Sequence, residues 1–179
     1  VSRTLNDADP IPPPPPPPSP RSPFPSKPGT AGSANGTIVD SAWTTGQDGY
    51  GSALLLNGQS SKVTLGTGPS LSGKTDFTLS AWVNTTATTA GVIIQQRNGG
   101  FNGQYQLLVN ADGTPAFMVY GNSGYQFSFS GNGAINDGTQ PHVAGVRPGP
   151  PAALYVDRQL AGSAHGTVRP LVGRRGLGI

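Results

Sequence analysis

Asp76-Phe-Thr-Leu-Ser-Ala-Trp-Val83 is the stretch on which the fold turns. Phe77, Leu79, Ala81 and Val83 alternate with Thr78, Ser80 and Trp82. A period of two sends one set to a buried face and the other to solvent, which is a strand and not a helix. The same reading disposes of the octet before it. Gly68-Pro-Ser-Leu-Ser-Gly-Lys-Thr75 satisfies the phosphate-loop pattern, and Leu154-Tyr-Val-Asp157 has the form of the second strand such a site uses. A phosphate loop needs its Lys-Thr to open a helix whose first amides cradle the phosphates. A strand from Asp76 removes that array, so no nucleotide site is expected.

Further short apolar runs repeat between Gly, Asn and Asp turns. They are Thr37–Trp43, Ala53–Leu56, Lys62–Leu65, Val92–Gln96, Tyr105–Val109, Ala116–Tyr120, Tyr125–Phe129, His142–Arg147 and Ala153–Asp157. With Phe77–Val83 they make about ten strands at spacings that fit an all-β antiparallel sandwich or jelly roll. Asn57-Gly58, Asp112-Gly113 and Asp137-Gly138 read as hairpin dipeptides.

Composition divides the 179 residues in two. Twelve of the 19 prolines lie between Pro10 and Pro28, so residues 1–30 read as an extended segment and 31–179 as the sandwich. Pro12, Pro13, Pro14, Pro15, Pro16, Pro17 and Pro18 are consecutive. Proline fixes φ and lacks an amide donor, which excludes helix and sheet and leaves polyproline II at ~3.1 Å per residue. The segment would act as a semi-rigid spacer or as a ligand for an aromatic-lined groove.

Charged residues make up only 11% of the chain, which argues against a coiled coil or a polyelectrolyte. The net charge of +3 owes its sign to Arg169, Arg174 and Arg175, and no basic face with interleaved aromatics points to nucleic acid. No apolar run reaches the ~20 residues of a membrane span. Cysteine is absent, which removes disulfides and thiolate chemistry. Val1 is not an initiator methionine, so the sequence reads as processed or trimmed.

Two resemblances bear on function. Gly49-Tyr-Gly-Ser-Ala-Leu-Leu-Leu-Asn-Gly58, Lys62-Val-Thr-Leu65 and Asp76–Val83, followed in order by Val92–Gln96, Tyr105–Val109, His142-Val-Ala144 and Leu154–Asp157, resemble a laminin-G-like domain of the concanavalin A-like lectin/glucanase jelly rolls. The likeness covers roughly residues 36–173. Three departures stand out. Gln140-Pro141-His142 replaces the usual Trp-His-His, Arg158 replaces the glycine of a Tyr-Val-Asp-Gly turn, and the closing strand is expected to be missing after Ile179. The Pro-rich segment, with Pro18-Ser19-Pro20 and Ser22-Pro23, resembles hydroxyproline-rich glycoproteins of plant and algal walls. That likeness implies hydroxylation and glycans on Pro12 to Pro18, Ser19 and Pro20. Asn35-Gly-Thr37 and Asn84-Thr-Thr86 add two glycosylation sequons and agree with a secretory route.

Catalysis is not expected. Glycoside hydrolysis uses two carboxyls flanking the scissile bond, whereas this chain has no Glu and no strand with two Asp at i, i+2. His142 and His165 have no nearby acid cluster, and no Gly-x-Ser-x-Gly elbow is present. No cofactor is expected. Calcium at a rim site is what the laminin-G likeness allows, with Asn110/Asp112 and Asn136/Asp137 as candidate ligands that otherwise serve as turn residues.

The function expected first is a secreted structural or adhesive glycoprotein of a wall, matrix or surface fibre, with self-assembly or other extracellular glycoproteins as partners. The alternative is a lectin-like, carbohydrate-binding module of a larger extracellular protein or glycanase. Trp43 or Trp82 lying open on the concave sheet discriminates for the second, because sugar platforms use open aromatic rings.

Overall fold

The computed structural model describes residues 36–65, 71, 73–96, 104–121, 124–149, 151–166, 171 and 177–178. The Pro-rich segment and Asn35 lie outside them, as do residues 68–70 and 72 of the phosphate-loop-like octet. The described residues form strands and no helix. The strands are β1 (Thr37–Val39), β2 (Ser41–Thr45), β3 (Ser52–Leu56), β4 (Lys62–Thr64), β5 (Asp76–Trp82), β6 (Gly91–Gln96), β7 (Tyr105–Val109), β8 (Pro115–Gly121), β9 (Gly124–Ser130), β10 (His142–Pro148), β11 (Ala152–Val156), β12 (Gln159–Ala164) and β13 (Leu177–Gly178).

A seven-stranded sheet, β1-β4-β13-β6-β7-β8-β9, faces a four-stranded sheet, β12-β11-β10-β5, and β2-β3 form a separate hairpin. All pairings are antiparallel. The fold is an all-β sandwich of the jelly-roll kind. Its core joins Leu79, Val143 and Leu154 of the smaller sheet to Tyr105, Leu107, Phe117, Val119 and Phe127 of the larger one, with Ile135 and Leu171 from connections. The sheets approach closely at Gly145. A Cβ there would lie 2.8 Å from the Phe117 ring, so only glycine fits without displacing that ring.

Strand boundaries agree with the sequence pattern to about a residue, with three corrections. The run Thr37–Trp43 is two strands, because Asp40 takes φ 49° and turns the chain from the large sheet into the hairpin. β12 was not expected from sequence: Gln159–Ala164 mixes Gly, Ser and Ala with one exposed leucine and carries little apolar signal. The seam of the closing strand is not empty over its whole length, since Leu177–Gly178 pair with both β4 and β6.

The turn dipeptides divide likewise. Asp112-Gly113 closes the β7–β8 hairpin. Asn57-Gly58 instead links β3 to β4, which are not paired with each other, and Asp137-Gly138 lies in the crossover from β9 to β10. Arg158 does not abolish the turn it occupies. Asp157 and Arg158 take φ 46° and 69° between the paired residues Val156 and Gln159, the two positive values of a type I′ hairpin.

Candidate functional site

β5 alternates as its sequence requires: Leu79 is buried, Phe77 and Ala81 are half-buried, and Thr78, Ser80 and Trp82 are exposed on the outer face. Trp82 therefore ends the strand with its ring outside the sandwich, 37% exposed. Register places His142 of β10 beside it, with ring centroids 5.2 Å apart. The backbone of His142 is held from both sides by Asp157, whose Oδ1 accepts the His142 amide at 2.8 Å and whose amide donates to the His142 carbonyl at 2.9 Å.

The third ring comes from the β2–β3 hairpin. Its loop is closed by the Gly46 amide donating to the Gly51 carbonyl at 2.8 Å and the Tyr50 amide donating to the Gln47 carbonyl at 2.9 Å. Gly49 and Gly51 flank Tyr50 at φ 81° and 85°, and the tyrosine, 70% exposed, brings its ring centroid within 5.6 Å of Trp82. Tyr50, Trp82 and His142 thus form a row of three rings. Beside it a groove of about 990 Å³ runs between the hairpin and the ends of β5 and β6. Gln47, Asn84 and Gln140 supply amides to its wall, and Leu54 and Ile93 supply apolar surface.

Trp82 was legible as an outward ring. Trp43, on β2, is also exposed, at 40%. Tyr50 carried a signal that sequence reasoning passed over: an aromatic between two glycines in a turn is a ring held out on a loop.

The other candidates are dispersed. β5 begins directly after Thr75, so no helix follows the phosphate-loop-like sequence. His165 is exposed and away from His142 in the chain, on the far side of β12. Asn84 is exposed and its amide donates to the Gly138 carbonyl at 2.8 Å. Asn110 donates to Thr114 and Ser130, and Asn136 to the Ala87 carbonyl. Asp112 Oδ1 accepts from the amide and hydroxyl of Thr114, and Asp137 Oδ1 accepts the same pair from Thr139. These bonds hold both carboxyls below the ordinary carboxylate range. All four are engaged in turn and loop hydrogen bonds, and among the described residues no three His, Asp or Glu side chains converge. The six described Asp are spread over separate turns and strand ends, at positions 40, 48, 76, 112, 137 and 157.

A family model described as the concanavalin A-like lectin/glucanases superfamily, of the laminin-G type, matches residues 57–177. The chain belongs to this superfamily. Among curated protein sequences there is no significant match. Solved structures that resemble it include domain 4 of AbnA, a GH43 extracellular arabinanase from Geobacillus stearothermophilus, in complex with arabinotriose. That likeness has a TM-score of 0.57 and 20% identity, over 80% of this chain and 72% of that one. The binding domain of Paraclostridial Mosquitocidal Protein 1 matches with TM-score 0.62 and 13% identity, over 81% of this chain but only 39% of that one. The carbohydrate-binding module CBM66 from Bacillus subtilis aligns at TM-score 0.49 and 20% identity, over 80% of this chain and 86% of that one. At these identities the likeness concerns the fold. Among the described residues no helix is long and apolar enough to cross a membrane.

Proposed function

We propose that this domain is a non-catalytic carbohydrate-binding module of an extracellular protein. The observation that carries the reading is the exposed contact of Trp82 with Tyr50 and His142 at the lip of the groove. A sugar ring presents an apolar face of C–H groups and an equatorial belt of hydroxyls. Exposed aromatic faces take the first, and the amides of Gln47 and Gln140 suit the second because each carries both a donor and an acceptor. The groove wall described here carries more apolar than charged groups, which favours a neutral glycan. No Asp is among the residues that line the groove and the chain has no Glu, which favours a site that holds its ligand without cleaving it.

The superfamily and the arabinanase domain weigh toward this reading over a fibre subunit. Secretion agrees with the extracellular arabinanase whose domain 4 shares the fold. In this scheme the Pro-rich segment is a spacer that sets the module away from its neighbour.

Affinity electrophoresis in a panel of neutral polysaccharides, beginning with linear arabinan, tests the proposal. Retardation of the wild type and loss of at least about tenfold in affinity for Trp82→Ala, with an unchanged melting temperature, are expected. Equal migration of wild type and variant in every polysaccharide, or release of reducing sugar, would overturn it.

A further inference from the structure

We infer that the glycan site does not end at the groove but continues across the outer face of the four-stranded sheet to Tyr155 and Leu160, so that its ligand is the interior of a neutral polysaccharide chain and not a chain end or a single sugar. The inference rests on the glycan reading and deepens it. Strand register carries the placement, because residues paired across an antiparallel ladder share a face of the sheet. Val143 of β10 is fully buried and pairs with Ala81 on one side and Val156 on the other, so these three face the core. Their neighbours point out. His142 stands beside Trp82, Ala144 lies between Ser80 and Tyr155, and Tyr155 pairs in turn with Leu160 of β12. Exposure agrees: Leu160 is 60% exposed and Tyr155 half-buried, whereas Leu154 next to it has no exposed surface.

The same register sets the spacing. Tyr155 lies two strands from Trp82, at about 4.8 Å each, and two residues further along, at about 3.4 Å each, which puts the two positions on the order of 12 Å apart. A single sugar residue cannot touch both rings, whereas a chain of several can lie across them. Ser80 and Ala144, the outward positions between, are too small to lift such a chain off the sheet. Ser80 and Trp82 also line the groove, so groove and sheet face are one continuous surface.

The chemistry of this face narrows the occupant. From Trp82 to Leu160 the outward positions are Ser80, His142, Ala144 and Tyr155, with no carboxylate, ammonium or guanidinium among them. Asp157 and Arg158 stand at the rim, in the β11–β12 turn. A polyanion such as a uronate chain or a nucleic acid would find no basic partners on the face itself. A protein partner is disfavoured for a different reason: serine and alanine, which floor the space between the rings, are depleted where proteins bury surface against one another. Rings at both ends and a hydroxyl between them match a sugar chain, whose C–H faces stack and whose hydroxyls can give or take a bond at Ser80 Oγ.

Isothermal titration calorimetry on the full chain tests the extension, with linear arabino-, xylo- and cello-oligosaccharides from the disaccharide to the hexasaccharide. In the series that binds, affinity should rise at least about tenfold from the shortest member to the longest. Trp82→Ala should weaken every length. Tyr155→Thr should weaken the hexasaccharide at least about tenfold and leave the disaccharide as in the wild type. Leu160→Ser, at an exposed position, should show the same length-selective loss in smaller measure and serves if Tyr155→Thr folds poorly; the wild-type length profile needs no variant at all. Affinity that stays flat with length, or a Tyr155→Thr loss equal at every length, would overturn the extension, while a Trp82→Ala loss in the same titrations would leave the glycan site standing. Binding of no member of the three series would overturn both.

Discussion

Arg147, with no exposed surface, donates from Nη2 to Oε1 of buried Gln126 at 2.5 Å, tying β10 of one sheet to β9 of the other through the middle of the sandwich. Its guanidinium carbon also lies 5.6 Å from the Phe77 ring centroid and 5.9 Å from that of Phe127. Desolvation holds the guanidinium below its ordinary pKa, and Asp76 opposes that shift. A buried cation pays a desolvation cost that its partners only partly return.

Two substitutions separate packing from charge. Arg147→Met fills much of the same volume without the charge and should change stability by less than about 1 kcal/mol, or raise it. Arg147→Ala leaves a cavity between Phe77 and Phe127 and deprives Gln126 of this donor, and should cost about 3 kcal/mol. Urea unfolding of both variants checks the pair of values; comparable losses would mean that the charge itself stabilises the core.

Arg158 occupies a position where a side chain is a burden. At φ 69° in a type I′ turn its Cβ crowds the following carbonyl, a conformation that costs an L-residue roughly 1–2 kcal/mol and glycine little. Arg158→Gly should therefore stabilise the domain by about 1 kcal/mol, less the larger unfolded-state entropy of glycine. A thermal melt that fails to rise would show that the arginine side chain returns the strain through contacts of its own.

Tyr105 lies in the core with its ring centroid 5.4 Å from that of Phe77, and burial pushes its phenol up to about 12. The neutral form is the one the fold prefers. Its contribution is complete below the unfolded value of about 10 and is lost as pH rises from there toward 12. Absorbance at 295 nm should show one tyrosine ionising only with alkaline unfolding, and Tyr105→Phe should remove that late phase. Ionisation of every tyrosine before the fold is lost would contradict the burial.

Much of the sandwich was legible because its strands alternate. Phe77–Val83 and Tyr105–Val109 needed only the period of two and a bounding turn. The candidate site was legible in part, through Trp82 on the outward set. What escaped has a physical cause in each case. Arg147 sits on the inward set of β10, where a sequence pattern reads a charge as solvated, and its contacts with Gln126 and Phe127 on a distant strand are not encoded locally. β12 lacked contrast between its faces. His142 and Tyr50 approach Trp82 through strand register and a loop closure, which no local period encodes.

The stems of the β2–β3 hairpin meet at one clasp. Asn57 Oδ1 accepts the amides of residues 59, 60 and 61, and the Ser61 hydroxyl donates to the Asp40 carbonyl. Everything from Ser41 to Leu56 hangs from that knot, and β2 contributes hardly any buried surface. The exposed positions of this hairpin can thus be rewritten or its loop lengthened while the core of the sandwich behind it keeps its arrangement. Reshaping the loop that carries Tyr50 and keeping the core packed are, in this protein, separable tasks.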